Sequence, residues 1–419
     1  MSKHPPSAHG DIRGAARLAV DATAGLTDLV EAMHQRIASA PGATAANGRT
    51  SGITGLVYKS IRGVTKLVGG SVDGLLGLLE PLLAPQPKGA DADSPARPPK
   101  PQREAIVAAL NGVLGDHLAA THNPLAITMA LRHGGQPLVL DRAALQARFP
   151  KAQGRVVVLL HGLCMNDLQW LRDGHDHGAT LSAALDATPL YLHYNSGLSI
   201  PDNGRLFASL LAQLVAAWPV PVESLVLLGH SMGGLVARSA LAQAQDAGQT
   251  WPQRVSDLVC LGSPHFGAPL ERAGHGLDLL LDGTPYAAPL ARLSKVRSAG
   301  IMDLRHGRVR PLAAGSQADD APAPEASLPL PEGPRCHAIA GCLGTSSKSL
   351  KARLAGDGLV PVDSALGQHP DPARALHFAP ERQWVAQGVN HMALLSDAGV
   401  SAQIAAWLRP PGGGPTGSA

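Results

Sequence analysis

The residues best suited to chemistry lie in Gly229-His230-Ser231-Met232-Gly233, which follows the apolar run 224–228 and precedes a helical pattern from Met232 to about residue 244. A serine hydroxyl is too weak an acid to ionise near neutral pH, so a serine that attacks a carbonyl needs a base to take its proton. It also needs a sharp strand-to-helix turn, which exposes Oγ and aims the first helical N–H groups at developing negative charge. Gly229 and Gly233 flank Ser231 where a Cβ would collide with a neighbouring strand or helix. The motif is common by chance, and the strand before it and helix after it make it specific.

A strand–turn–helix of this kind must sit in a sheet. Apolar runs at residues 155–160, 189–194, 224–228, 258–262 and 336–341 alternate with helical patterns at 181–185, 204–217 and 232–244. This alternation predicts an α/β protein with a mostly parallel sheet covered by helices on both faces. Before it, a helix is expected near residues 104–118, then a hairpin in which 125–131 and 137–140 pair across Gly134-Gly135. A final helix is expected over 400–408.

The chain has 419 residues with 45% hydrophobic content, room for one large domain and an appendage. A net charge of +3 is too small to suggest nucleic acid, and with 3% aromatic residues no stacking platform for bases is visible. The four cysteines, Cys164, Cys260, Cys336 and Cys342, are irregularly spaced, and three lie in or beside strand-like runs. Buried thiols are expected rather than a disulfide frame or zinc site. The start lacks the apolar run of a secretory signal, so a cytoplasmic location is expected.

Residues 1–101 read as a helical N-terminal extension ending in a Pro-rich linker, 102–409 as the α/β domain, and 410–419 as a disordered tail. Residues 313–334 have a similar Pro/Ala/Ser-rich composition. In the extension, Ile53, Leu56, Val57, Ile61, Val64, Leu67 and Val68 form one helical stripe, with Lys59, Arg62 and Lys66 on another face. Packing on the rest of the protein is the expectation, and peripheral contact with an anionic membrane is the alternative. Lys66 and Asp73 interrupt any span of the required length.

The chain resembles the α/β-hydrolase superfamily over about residues 105–408, within the bacterial lipase and esterase branch, and is also similar to lipid deacylases of the GPI inositol-deacylase type. The resemblance rests on four segments: His161-Gly162-Leu163, the Ser231 motif, Gly262-Ser263-Pro264-His265-Phe266-Gly267, and Gly356-Asp357-Gly358-Leu359-Val360-Pro361 followed by Asn390-His391. It implies a triad of Ser231, Asp357 and His391, and a helical cap at about 267–310. Calcium-dependent relatives carry a carboxylate just past the histidine; here Met392, Ala393, Leu394 and Leu395 follow, and no cofactor is expected.

In this fold the acid follows the serine and the histidine follows the acid. His369, His377 and His391 all come after Asp357. His391 is preferred because it lies in a loop before the final helix, whereas His369 precedes Pro370 in a turn and His377 sits in an alternating, strand-like run. Asp357 would hold the imidazole tautomer and stabilise its charged form. Rival acids are Asp303 and Asp363, read as a helix-terminal or solvated carboxylate and a helix cap. The backbone N–H groups of Leu163 and Met232 are the expected oxyanion donors, with His161 a brace for that loop.

Asp173-Gly174-His175-Asp176-His177 holds four potential metal ligands, but consecutive positions cannot all face one ion, so a solvated loop is expected and no metal. Arg205 lies on the side that would meet a substrate head group, and an internal salt bridge is the plainer expectation. The function these features imply is cleavage of carboxylic esters, preferably lipid-like, through an acyl-serine. The alternatives are an acyltransferase with the same residues, and an interaction protein docked to a membrane or partner by its N-terminal helices.

Overall fold

The computed structural model describes residues 101–268, 298–311, 328–344 and 350–409. The expected N-terminal helices, most of the linker, the tail and residues 269–297 of the expected cap lie outside the described residues.

Eight strands form one sheet: β1 (Ala130–His133), β2 (Gln136–Pro137), β3 (Arg155–Leu160), β4 (Thr188–His193), β5 (Ser224–His230), β6 (Val255–Leu261), β7 (Arg335–Cys342) and β8 (Gln383–Gln387), in the order β2-β1-β4-β3-β5-β6-β7-β8. From β4 to β8 every neighbouring pair is parallel, while β1 runs antiparallel to both β2 and β4. The hairpin turns at Gly134 and Gly135, with φ of 59° and 72°, the left-handed pair that a two-residue turn requires. It is shorter than its apolar flanks suggest. Asn111 holds residues 125–127 as irregular chain by donating to Leu125 O at 2.8 Å and accepting from Ile127 N at 2.9 Å. Just past Pro137, Leu138 N still donates to Leu131 O at 2.8 Å, the last bond across the hairpin.

The central strands are continuous apolar runs because both faces are covered. Val156, Val158 and Leu160 point to one side, where they meet α1 (Pro101–Ala120), α4 (Ile200–Ala217) and α5 (Met232–Asp246). Also on that side are α2 (Arg142–Arg148) and α6 (Ala299–His306), through Leu145 and Leu304. Val157 and Leu159 point to the other side, where Leu181 and Leu185 of α3 (His177–Leu185) and Val400, Ile404 and Leu408 of α9 (Ala398–Leu408) cover them. Two short helices, α7 (Leu350–Ala355) and α8 (Val362–Ala365), follow β7.

One strand departs from expectation. The alternating run around His377 pairs with nothing among the described strands: Leu376 and Phe378 are buried, His377 is exposed, and the edge strand lies further on at Gln383–Gln387. That segment carries Trp384, Val385 and Ala386 between glutamines, too short and too polar at its ends to read as a strand. All four cysteines are buried free thiols, and burial pushes Cys164 and Cys260 up to about 12. Among the described residues no helix is long and apolar enough to cross a membrane.

Candidate active site

Ser231 sits between the last residue of β5 and the first of α5 at φ 53° and ψ −122°. L-residues rarely adopt this backbone, and here it is held from both sides. Its N–H donates to Leu261 O of β6 at 2.8 Å. A Cβ on Gly229 would strike the backbone of Gly233 and Gly234, and one on Gly233 would strike Leu160 O, so both glycines of the motif are required by close approach. The serine side chain makes no capping bond to α5, which leaves its hydroxyl for other use.

Asp357 lies in a tight turn beyond β7, flanked by Gly356 and Gly358 at φ 54° and 98°. Its Oδ1 accepts from the N–H groups of Leu359 at 3.0 Å and Val360 at 2.8 Å. Its Oδ2 lies 2.7 Å from His391 Nδ1, and its carbonyl accepts from His391 N at 3.0 Å. A carboxylate only accepts, so Nδ1 carries the imidazole proton and Nε2 keeps its lone pair. Among the described residues that Nε2 is buried without a hydrogen-bond partner, Ser231 Oγ included. Gly262, at φ +56°, lies against this pair: a Cβ there would be 3.1 Å from Asp357 Oδ2 and 3.2 Å from His391 Cε1. Ser231, Asp357 and His391 are all at most 2% exposed.

The loop after β3 runs beside the serine, since a Cβ on Gly162 would be 3.1 Å from Ser231 Cβ. Within it Cys164 has φ 61°, and its N–H donates to Ser196 Oγ at 3.0 Å. The N–H of Leu163 in this loop, and that of Met232 at the first position of α5, are hydrogen-bonded to no acceptor among the described residues. His161 braces the loop as its sequence position implied. Its Nδ1–H donates to Gly162 O at 2.8 Å, and its ring stacks on Tyr194 with centroids 4.2 Å apart. Burial lowers its pKa to about 3, so it is neutral and cannot serve as a charged partner.

The rival acids and bases are engaged elsewhere. Asp303 is buried and accepts from Arg308 at 2.7 Å and from Ile200 N at the start of α4 at 2.9 Å, so it is not solvated. Asp363 pairs with Arg353, and His369 bonds the chain of its own turn at Asp371. Arg205 makes an exposed pair with Asp202 at 3.3 Å within α4.

The expectation of a solvated loop at 173–177 holds for Asp173 and Gly174, which are exposed, but not for Asp176 and His177. Asp176 caps α3, accepting from Gly178 N at 2.6 Å, and also accepts from Tyr191 OH at 2.8 Å. His177 is fully buried and bonds Leu394 O at 2.9 Å, close beyond His391 in the chain. Its second half is built into the protein because α3 packs beside α9 and the loop before it. Among the described residues no group of three or more His, Cys, Asp or Glu could hold a metal ion. Sequence reasoning missed two histidines that contact the His391 loop: His177, and His230 inside the serine motif itself, whose Nε2 lies 3.1 Å from His391 O.

One family model and several solved structures are similar to the chain. Residues 207–313 match a family model described as PGAP1-like alpha/beta domain, a window that contains Ser231 but neither Asp357 nor His391. No curated protein matches the chain. Among solved structures, the chain is similar to the Bacillus licheniformis lipase BlEst2 in its mature form, at 16% identity and TM-score 0.38 over 64% of this chain and 92% of that one. The propeptide form of that lipase is similar at 17% identity and TM-score 0.39, over 60% of this chain and 50% of that one. An esterase from Pyrobaculum calidifontis is similar at 16% identity and TM-score 0.35, over 61% and 76%. With its strand order, its sharp turn at Ser231 after the fifth strand and its PGAP1-like segment, the chain has the α/β-hydrolase fold.

Proposed function

We propose that the protein is a serine hydrolase that cleaves carboxylic esters with lipid-like acyl groups through an acyl-serine intermediate. The observation that carries this reading is the Asp357–His391 pair at 2.7 Å, whose unpartnered Nε2 belongs to a loop tied to the residue next to Ser231. The lipase and esterase resemblance supports an ester as substrate.

In this mechanism Ser231 Oγ attacks the ester carbonyl while its proton passes to His391 Nε2. Asp357 stabilises the imidazolium without taking the proton. The carbonyl oxygen gains negative charge and accepts from the N–H groups of Leu163 and Met232. The carbon–oxygen bond of the ester then breaks, and His391 returns its proton to the departing alkoxide. Water repeats the sequence on the acyl-serine, giving a carboxylic acid and the original serine.

Hydrolysis of chromogenic esters from acetate to palmitate, by the wild type and Ser231→Ala in parallel, tests this. The expected result is turnover that rises with chain length and falls by about 10⁴-fold or more in the variant. Retained turnover in Ser231→Ala would remove Ser231 from the mechanism, and turnover confined to short chains would remove the lipid-like substrate.

A further inference from the structure

We propose, resting on the serine hydrolase reading above, that His230 and His177 are positioning residues that together clamp the loop carrying His391. Their side chains bond two carbonyls of that loop from two different elements. His230 ends β5, and its Nε2 lies 3.1 Å from His391 O. His177 opens α3, and its Nε2 lies 2.9 Å from Leu394 O. Both side chains belong to fully buried residues.

A carbonyl oxygen only accepts, so each Nε2 carries a proton and each Nδ1 keeps a lone pair. For His177 that lone pair faces His175 Nε2 at 2.9 Å, which donates and so holds the required tautomer. For His230 the Nδ1 has no partner among the described residues, and it points toward the loop beside the serine, 3.2 Å from where a Cβ on Gly162 would be.

The clamp does something that the Asp357 contact alone does not. Asp357 restrains His391 through Nδ1 and through its backbone N–H, both directed to the β7 side of the site. A base held only there can still tilt toward or away from the serine. His230 is covalently next to Ser231, so its bond to His391 O links the nucleophile's backbone to the base's backbone across 161 residues of chain. His177 fixes the same loop three residues later. The rings of His230 and His391 lie 4.7 Å apart, a distance at which a second positive charge would oppose an imidazolium. Burial removes that conflict by lowering His177 to about 4 and His230 well below its ordinary value, so both remain neutral donors.

The test uses the full chain and two substitutions at each site: His→Gln, which keeps an N–H donor at similar reach, and His→Met, which keeps bulk without one. Folded state is monitored by circular dichroism, and Ser231 by its rate of labelling with a fluorophosphonate. Expected are a fall of about 10²-fold in kcat with little change in KM for His230→Met, a smaller fall for His177→Met, and recovery to within about fivefold in the Gln variants. The double Met variant should lose less than the product of the single losses, because both act on one loop. The proposal is overturned if folded His230→Met retains kcat within threefold, or if Gln is no better than Met. If His230→Met does not fold, the His177 pair decides by the same criteria. A wild type that neither hydrolyses esters nor labels would instead defeat the serine hydrolase reading.

Discussion

Gly262→Ala separates the geometry of the Asp357–His391 pair from the stability of the fold. Gly262 has φ +56°, where an L-residue costs about 1–2 kcal/mol. The added Cβ would stand 2.8 Å from Leu394 Cδ1, 3.1 Å from Asp357 Oδ2 and 3.2 Å from His391 Cε1. Ordinary carbon contact begins near ~3.5 Å, so these groups must retreat by about 0.3–0.7 Å. The backbone cannot retreat in their place, because Gly262 N donates to Ile339 O at 2.8 Å. Leu394 can rotate away, but Asp357 is pinned by two N–H groups and His391 by Asp357 and His230. A displacement of about 1 Å costs on the order of 10²-fold in rate, so about 10- to 100-fold in kcat is expected here. Gly248 supplies the control: its φ is +64° and nothing lies within 4 Å of its added Cβ. Gly248→Ala should show the same loss of unfolding free energy in urea and an unchanged kcat on a soluble ester. Wild-type kcat in Gly262→Ala, or an equal kcat loss in both variants, would refute the reasoning.

Two further tests concern charge. Asp357→Asn removes the acceptor that holds the His391 tautomer and should lower kcat by about 10⁴-fold, whereas Asp303→Ala should cost about 3 kcal/mol of stability by breaking the buried Asp303–Arg308 pair and removing the acceptor of Ile200 N, with kcat of the folded fraction retained. The opposite pattern in a paired kinetic and denaturation measurement would make Asp303 the acid. Stability should also fall on mild acidification. Burial lowers His161 to about 3 and His177 to about 4 from an unfolded value of 6.5, with His230 and His265 shifted in the same direction. The unfolded chain then binds more protons, so the stabilising contribution is complete above about pH 6.5 and declines below it, by up to about 1.4 kcal/mol per pH unit for each histidine. Urea unfolding between pH 7 and pH 5 measures this, and a flat profile would contradict it.

Much of the frame was legible in the chain because its signals are local. The runs at 155–160 and 224–228 are apolar throughout, and each central strand begins or ends within a few residues of expectation. The hairpin turn was legible in Gly134-Gly135, but its length was not, since Asn111 on a distant helix diverts residues 125–127. Strand β8 was missed for a related reason: its stability comes from pairing with β7 at the sheet edge, and its own residues carry little pattern. The 173–177 cluster reads as solvated loop from composition, and only the packing of α3 beside the His391 loop makes His177 a buried donor.

By itself the sequence determined the turn at Ser231, because an apolar strand, two glycines and a helix within a short segment leave the backbone few alternatives. Tertiary structure decided which carboxylate meets which imidazole. Three histidines follow Asp357; their neighbours favour His391, but only the folded chain brings its Nδ1 within 2.7 Å of Asp357 Oδ2. That choice depends on where the β7 turn and the loop before α9 converge, and it is set by the packing of the whole sheet rather than by any local preference.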